Sequence, residues 1–299
     1  MAVLRRRTLL LGTAGAGITG LGAAGLGIQQ GVLPGRQRLQ ELLGLNGEDG
    51  VAPVIERGPV ERGTFRSRHR LGAKTGWALC RPPDTTGEIP LVVALHGMGS
   101  DHADLVGPAF ALPEFLAQAV ADGVPPFGIA AVDGGTSYWH ERPSGEDAGA
   151  MVVDELVPLL DEHEVTTDRI GLIGWSMGGY GALRLGGLLG PDRVSAVCAV
   201  SPALWTDADD ASPSGFDDAE EYDAYRVTGR QGDLAGIPVR IDCGTGDPFY
   251  RATQDYVEDF PDDADLIASF EPGGHTVGYW RRVLPAQLAF LGERVSSTT

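Results

Sequence analysis

The sequence predicts an α/β fold in which a mostly parallel central sheet carries helices on both faces. Short apolar segments have the character of buried parallel strands, and they lie at 89–95, 127–132, 169–175, 194–200, 239–243 and 266–270. Helical segments separate them, at 113–121, 146–162, 177–189, 249–259 and 277–292. Because strands and helices alternate, right-handed crossovers should place the strands side by side. Two short strands at 64–68 and 76–81 predict an antiparallel hairpin at the start of this unit.

Composition describes a globular chain and excludes some partners. Of the 299 residues, 42% are hydrophobic and 21% are charged. Lys and Arg number 23 against 41 Asp and Glu, which gives a formal net charge of −18. This deficit of cations argues against a nucleic-acid partner. Three cysteines are too few for a zinc cluster or a disulfide framework, although a bridge between Cys198 and Cys243 on neighbouring predicted strands stays open.

Residues 1–30 have the arrangement of an export signal. Arg5, Arg6 and Arg7 precede an apolar run from 8 to 28, and the segment contains no acidic residue. The run of residues 6–10 resembles a twin-arginine motif, although Arg5 stands where Ser or Thr is usual. No clear cleavage motif follows, so we expect either a removed signal or membrane attachment through residues 8–28. Both outcomes predict an exported protein, secreted, periplasmic or in the cell envelope.

The rest of the chain divides into a linker and one domain. Residues 31–62 mix Gly, Pro, Arg, Gln and Glu without a clean period and are interpreted as a linker, with a short helix possible within 36–45. The domain is predicted over 63–295. Residues 201–236, rich in Asp, Ser, Gly and Tyr, interrupt the alternation of strands and helices. We interpret them as an excursion over the active site, or a small lid.

Ser176 is the candidate nucleophile. It lies in Gly174-Trp175-Ser176-Met177-Gly178, which closes a predicted strand and opens a predicted helix, the context that the G-x-S-x-G elbow requires. A sharp turn at the serine leaves no room for side chains at 174 and 178, so both are glycine. The turn would also present the Met177 N–H at a helix N-terminus, where it favours a developing oxyanion.

His275 and Asp247 are the candidate base and acid. A serine hydroxyl needs a base within hydrogen-bond reach, and of the six histidines only His275 follows Ser176, as the order Ser, acid, His demands. Two carboxylates lie near the end of the strand before it, Asp242 within the strand and Asp247 in the loop beyond. A loop carboxylate can reach the far imidazole nitrogen, so we choose Asp247 over Asp242.

The remaining site residues follow other predicted strands. His96-Gly97-Met98-Gly99 comes after the strand at 89–95, and the Met98 N–H should pair with the Met177 N–H as the oxyanion hole. His96 is interpreted as a structural residue, and no metal site is predicted from His96 and His102 because no convincing set of further ligands accompanies them. Aromatic residues suited to a substrate pocket are Tyr138, Trp139 and Trp175.

Three segments together resemble the Putative esterase family of α/β-hydrolases, which includes esterase D-like enzymes and secreted mycolyltransferases. They are the elbow with its continuation to Leu183, the run 243–248 around Asp247, and the run 273–280, which contains Gly-Gly-His and ends on Tyr279-Trp280. The resemblance covers about 64–292 and implies a Ser176–His275–Asp247 triad, no cofactor, and hydrolysis or transfer of an ester acyl group. Val277 stands where members of the family often have an aromatic residue, so the resemblance predicts the triad but not the details of the acyl pocket.

The expected function is therefore that of an exported serine esterase acting on a small-molecule or lipid ester through an acyl-enzyme. One alternative is an acyltransferase that moves the acyl group to a sugar or lipid hydroxyl. Another is a non-catalytic binding module of the cell envelope on a hydrolase scaffold.

Overall fold

An eight-stranded sheet organises residues 36–297, which are the residues that the computed structural model describes. The strands lie in the order β1-β2-β4-β3-β5-β6-β7-β8. Their bounds are β1 Val60–Ser67, β2 Ala73–Cys80, β3 Ile89–Leu95, β4 Gly128–Val132, β5 Val165–Trp175, β6 Val194–Val200, β7 Val239–Gly244 and β8 Leu266–Glu271. β1 and β2 form an antiparallel hairpin, β2 joins β4 antiparallel, and the other neighbours are parallel. The predicted fold class is confirmed.

Helices cover both faces of this sheet. They are α1 Arg36–Leu42, α2 His102–Leu105, α3 Leu112–Ala121, α4, α5 Met177–Leu189, α6 Ala219–Tyr225, α7 Tyr250–Glu258 and α8 Val277–Ser296. α4 consists of Ala148–Met151, a π turn over Val152–Leu156 and a last turn over Val157–Leu160. One core lies between the sheet, α4 and α5, and the other between the sheet, α3 and α8. The inner strands β3, β4 and β6 are buried almost throughout for this reason, as their sequence indicates. β8 differs from the prediction of a buried strand, because it lies at the edge of the sheet and its residues are partly exposed.

The interpretation of 31–62 as a linker is wrong for the part that the structure describes. The chain from 36 onward packs on the domain: Gln40 is buried, with 2% of its surface exposed. The Gly50 N–H donates to the carbonyl oxygen of Gly278 at 2.8 Å. β1 also begins at Val60, four residues before the predicted strand. The segment shows no hydrophobic period because polar and backbone groups make these contacts.

The excursion at 201–236 contains α6 and a short 3-10 helix at Gln231–Leu234. It packs against the body through aromatic side chains. Trp205 and Phe216 lie against Tyr138, with ring centroids 5.8 and 6.1 Å away. The Tyr222 hydroxyl donates to the carbonyl oxygen of Trp205 at 2.7 Å, closing the excursion on itself.

Two further predictions concern the N-terminus and the cysteines. The export segment at 1–30 lies outside the described residues. Between 36 and 297, no helix has both the length and the apolar character needed to cross a membrane.

Cys80, Cys198 and Cys243 are all buried and free, so the bridge that the sequence left open is not formed. Cys198 lies opposite Arg240 on β7, three positions away from Cys243.

Candidate active site

Ser176 occupies the sharp turn between β5 and α5. Its φ of 58° and ψ of −118° lie in a region that L-residues rarely adopt, and backbone hydrogen bonds hold it there. Its N–H donates to the carbonyl oxygen of Val200 at 2.9 Å. A Cβ atom at Gly174 would overlap the carbonyl of Gly178, and one at Gly178 would overlap the carbonyl of Leu95. Both glycines of the motif are therefore required by close backbone approach.

The structure brings together the three predicted triad side chains. His275 Nε2 lies 2.9 Å from Ser176 Oγ, and His275 Nδ1 lies 2.8 Å from Asp247 Oδ2. Asp247 is 2% exposed, and its other oxygen accepts a hydrogen bond from the Phe249 N–H at 2.9 Å. With Nδ1–H directed to the carboxylate, Nε2 is free to accept the serine proton. Phe249 and Trp280 pack edge-to-face with the imidazole, with ring centroids 5.4 and 5.1 Å away.

Asp242, the rejected acid, has a different environment. It is fully buried on β7, where Arg240 donates two hydrogen bonds to its carboxylate, at 2.8 and 2.7 Å. Gln287 of α8 donates a third at 3.0 Å. Burial raises the pKa of Asp242, and these partners oppose the shift. The carboxylate thus holds β7 to α8 and does not contact His275.

The two predicted oxyanion donors belong to neighbouring backbone segments. Met177 is the first residue of α5, so its N–H has no acceptor within the helix. Gly97 lies against the elbow, since a Cβ there would approach Ser176 Cβ at 3.4 Å, and Met98 follows it. Both Met98 and Ser176 line one cavity. The arrangement allows two N–H groups to face an oxygen on a carbon bonded to Ser176 Oγ.

His96 holds the loop that carries Met98. Its Nε2 accepts a hydrogen bond from the Gly134 N–H at 2.8 Å, so Nδ1 is the protonated nitrogen and donates to the Gly97 carbonyl oxygen at 2.8 Å. The ring is fully buried, and burial lowers its pKa, which keeps it neutral. This agrees with the structural role that the sequence predicts for His96.

A cavity of about 460 Å³ opens beside the serine. Its walls are mostly apolar and come from the loop after β3, the end of β5, α2 with the segment that follows it, and the start of α8. Those apolar residues are Met98, Leu105, Ala109, Phe110, Trp175, Val277 and Trp280. Ser100 and Asp104 add polar groups. Trp175 lines the cavity as predicted, and Phe110 packs against it with centroids 4.6 Å apart.

Tyr138 and Trp139 are not among the residues that line this cavity, and the pocket prediction is wrong for Trp139. Both have positive φ, 56° and 58°, so the turn after β4 directs them inward. Trp139 is fully buried and its ring lies against Gly134 and Gly181, where a Cβ would overlap it or nearly so. Tyr138 is 5% exposed and packs on the excursion. Phe110 and Trp280 take the place that these residues were expected to fill.

Neither Phe110 nor Trp280 was singled out from the sequence as a pocket residue. Trp280 lies five positions after His275, on the first turns of α8, and this proximity to the base is a signal that could have found it. Phe110 lies in an irregular segment between two short helices and carries no such signal.

Asp101, His102 and Asp133 form a group of metal-ligand type among the described residues. Their polar atoms already serve the protein. Asp133 accepts hydrogen bonds from the backbone N–H of Gly76 at 2.9 Å, and from the backbone N–H and Nδ1 of His102 at 3.0 and 2.5 Å. Burial raises the pKa of Asp133, but these hydrogen bonds outweigh burial and lower it to about 2. Asp101 caps α2 by accepting from the Asp104 N–H. The group fixes α2 against β2 and β4.

The sheet, the elbow and the Ser–His–Asp line define a serine hydrolase of the α/β-hydrolase fold. The sequence profile described as Putative esterase matches residues 69–291, so the chain belongs to that family and is a carboxylic ester hydrolase. The predicted resemblance is confirmed, and membership of this family argues against the alternative of a non-catalytic binding module. Comparison with curated proteins gave no match.

Several solved structures are similar. One is a fluorophosphonate-binding serine hydrolase of Staphylococcus aureus, FphF (TM-score 0.64, 16% identity, 79% of this chain and 99% of that one). Another is an S-formylglutathione hydrolase of Agrobacterium tumefaciens (TM-score 0.65, 18% identity, 83% and 100%). A third is a ferulic acid esterase of Anaeromyces mucronatus (TM-score 0.63, 18% identity, 86% and 96%). At these identities the similarity concerns the fold.

Proposed function

We propose that this protein is an exported serine esterase in which Ser176 is the nucleophile, His275 the base and Asp247 the orienting acid. The observation that carries the proposal is the continuous line of contacts from Asp247 Oδ2 through His275 to Ser176 Oγ, 2.8 and 2.9 Å long. The burial of Asp247 and its bond from Phe249 support its orienting role, since a fixed carboxylate selects the imidazole tautomer.

The reaction follows from this geometry. His275 Nε2 takes the hydroxyl proton while Ser176 Oγ bonds to the ester carbonyl carbon, and the N–H groups of Met98 and Met177 stabilise the oxyanion. The C–O bond to the alcohol then breaks, and the alcohol leaves with the proton from His275. Water, deprotonated by His275, attacks the acyl-enzyme, and the acid leaves as the proton returns to Ser176.

The cavity beside Ser176 supports a neutral, apolar acyl group as the preferred one. Aliphatic chains and aromatic rings both fit a space of about 460 Å³ with two tryptophans and a phenylalanine in its walls. Asp104 in the lining and the net charge of −18 disfavour an anionic acyl group. Among the similar structures, one is a ferulic acid esterase in complex with ferulic acid, an aromatic ligand.

Export is proposed on the sequence of residues 1–30, with its three arginines before an apolar run. It favours an extracytoplasmic ester over a cytoplasmic thioester as the substrate. Fractionation of cells that express the full chain, with and without Arg6→Lys and Arg7→Lys, tests this proposal. We expect the variant to be lost from the exported fraction. If wild type and variant are distributed alike, the proposal of twin-arginine export is contradicted.

The catalytic proposal is tested with p-nitrophenyl esters of two to twelve carbons. Ser176→Ala should lower kcat by ~10⁴-fold or more, in line with the removal of triad members. Ser144→Ala is the matched control. Ser144 lies in an exposed turn and is not among the residues that line the cavity, so this variant should keep wild-type turnover. Retention of activity in Ser176→Ala would refute the assignment. Fluorophosphonate labelling of the wild type should also be lost in this variant.

A second experiment, with added alcohols as acyl acceptors, distinguishes hydrolysis from acyl transfer. Labelled ester is incubated with glycerol, a hexose or a long-chain alcohol, and free acid and new ester are both quantified. We expect free acid to dominate. New ester in excess over acid would show that the acyl-enzyme reacts with an alcohol instead, and the protein would then be an acyltransferase.

A further inference from the structure

We propose that residues 40–50, named here the N-terminal arm, position the two loops that carry Asp247 and His275. Gln40 and Asn46 are the positioning residues. The inference rests on the proposed function, because it assigns the arm a role in the turnover of the Ser176 ester. It also reverses the expectation for this segment, which the sequence presents as a linker.

The arm contacts the loop of the acid first. The Thr245 hydroxyl donates to Gln40 Oε1 at 3.5 Å, and Gln40 is almost completely buried. A Cβ atom at Gly246 would lie 2.6 Å from Gln40 Oε1 and would overlap Asn46 Oδ1. Gly246 directly precedes Asp247, so the arm packs on the backbone that delivers the carboxylate.

The same asparagine reaches the loop of the base. A Cβ atom at Gly274 would lie 3.2 Å from Asn46 Nδ2, and Gly274 directly precedes His275. The two loops are also bonded to each other, since the Gly246 N–H donates to the Gly273 carbonyl oxygen at 2.7 Å. The amide of Asn46 therefore lies between the residues that immediately precede the acid and the base, and its Oδ1 atom is buried there.

Arg282 of α8 fixes the arm in this place. Its guanidinium donates to the carbonyl oxygens of Asn46 at 3.2 Å and Glu48 at 2.5 Å. The same group bonds Glu271 Oε1 at 3.0 Å and the carbonyl oxygen of Pro272. One side chain thus ties the arm to the chain that enters the His275 loop. The arm, both loops and the start of α8 form one hydrogen-bonded unit.

Such a unit matters for turnover because proton transfer is sensitive to geometry. A misplacement of about 1 Å can cost on the order of 10²-fold in rate, even when the altered residue does not touch the substrate. Gln40 and Asn46 are not among the residues that line the cavity beside Ser176, so their loss should leave substrate binding largely intact. The arm should therefore act on kcat and leave KM nearly unchanged.

The test uses the full chain with Gln40→Ala and Asn46→Ala. Both should lower kcat for p-nitrophenyl acetate by ~10-fold, with KM within about twofold of wild type. Glu41→Ala, exposed on the same helix, is the matched control and should behave as wild type. Thermal melts followed by circular dichroism identify a variant that fails to fold. If one of the two alanine variants does not fold, the kinetics of the other one test the inference.

Hydrogen exchange separates the failure of this inference from that of the proposed function. Faster exchange is expected at 244–250 and 272–278 in Gln40→Ala and Asn46→Ala, and this readout needs no activity. Wild-type kcat and unchanged exchange in the folded variants would overturn the inference. Activity that survives Ser176→Ala would instead overturn the proposed function, and the exchange experiment would still report on the arm.

Discussion

His96 and Gly134 connect the loops after two adjacent parallel strands, because Nε2 of His96 accepts the Gly134 N–H at 2.8 Å. The other nitrogen of the same ring bonds the Gly97 carbonyl oxygen, one residue before Met98. A single neutral imidazole therefore sets the position of a proposed oxyanion donor.

Replacement of this imidazole should impair catalysis without a change in the triad. We expect His96→Ala to lower kcat by roughly 10- to 100-fold, somewhat less than the loss of an oxyanion donor itself. Steady-state kinetics with p-nitrophenyl butyrate measure the effect, and circular dichroism controls for folding. Full activity in a folded His96→Ala protein would show that the loop keeps its position unaided.

Substitution of a glycine by alanine should cost much more stability in the elbow, at Gly178, than at Gly232. Gly178→Ala should destabilise the protein by ~2–3 kcal/mol or prevent folding, because the new methyl group would overlap the Leu95 carbonyl in rigid backbone. Gly232→Ala is the control, since no atom lies within 4 Å of the position of its Cβ. The free energy of unfolding in urea should change there by less than about 0.5 kcal/mol. Equal effects at both positions would contradict the steric argument.

Val277 should limit the length of the acyl group. It lines the cavity at the start of α8 and is 36% exposed, so a larger side chain can be placed there without disruption of the core. We expect Val277→Phe to lower kcat/KM for p-nitrophenyl octanoate by about 10-fold relative to the acetate, as for the loss of one or two methylene contacts. Leu188→Phe, on the exposed side of α5, is the control. An unchanged ratio of octanoate to acetate would exclude this cavity as the acyl site.

His140 should make the fold sensitive to acid. It is fully buried between the rings of Phe216 and Tyr225, and burial, followed by the nearby Arg184 and Arg142, lowers its pKa to about 3. The charged and titratable groups around it are Arg142, Arg184, Tyr180, Glu221 and Tyr225. The His140 side chain binds a proton near pH 6.5 in the unfolded chain but stays neutral at that pH in the folded one. Its full contribution to the free energy of unfolding is therefore present above pH 6.5. It should fall as the pH drops from about 6.5 towards 3.

The loss attributable to His140 approaches about 1.4 kcal/mol per pH unit well below pH 6.5. His140→Phe keeps a ring between Phe216 and Tyr225 and cannot titrate, so its free energy of unfolding should depend less on pH between 4 and 6.5. Urea unfolding at several pH values measures both proteins. Parallel pH profiles would show that another group causes the acid sensitivity.

Most of the architecture could be predicted because its signals are local. The apolar strands at 89–95, 194–200 and 266–270 appear in the structure within one residue of their predicted bounds. β5 begins four residues earlier than predicted, at Val165, because its polar start pairs with Ile89 and Pro90 of β3 across a shift in register. Such a pairing depends on a partner distant in the chain, which no local pattern reveals.

The sequence by itself determined the sheet, the order of its strands and helices, and the elbow at Ser176, because a glycine-bracketed serine between a strand and a helix leaves the backbone few alternatives. It also singled out Asp247 and His275, since parallel strands deliver their loops to one edge. Only the tertiary structure decided which aromatic residues face the cavity and that the arm at 40–50 packs on the Asp247 and His275 loops. Those outcomes depend on side-chain directions and contacts between segments more than 200 residues apart, such as Gln40 and Thr245.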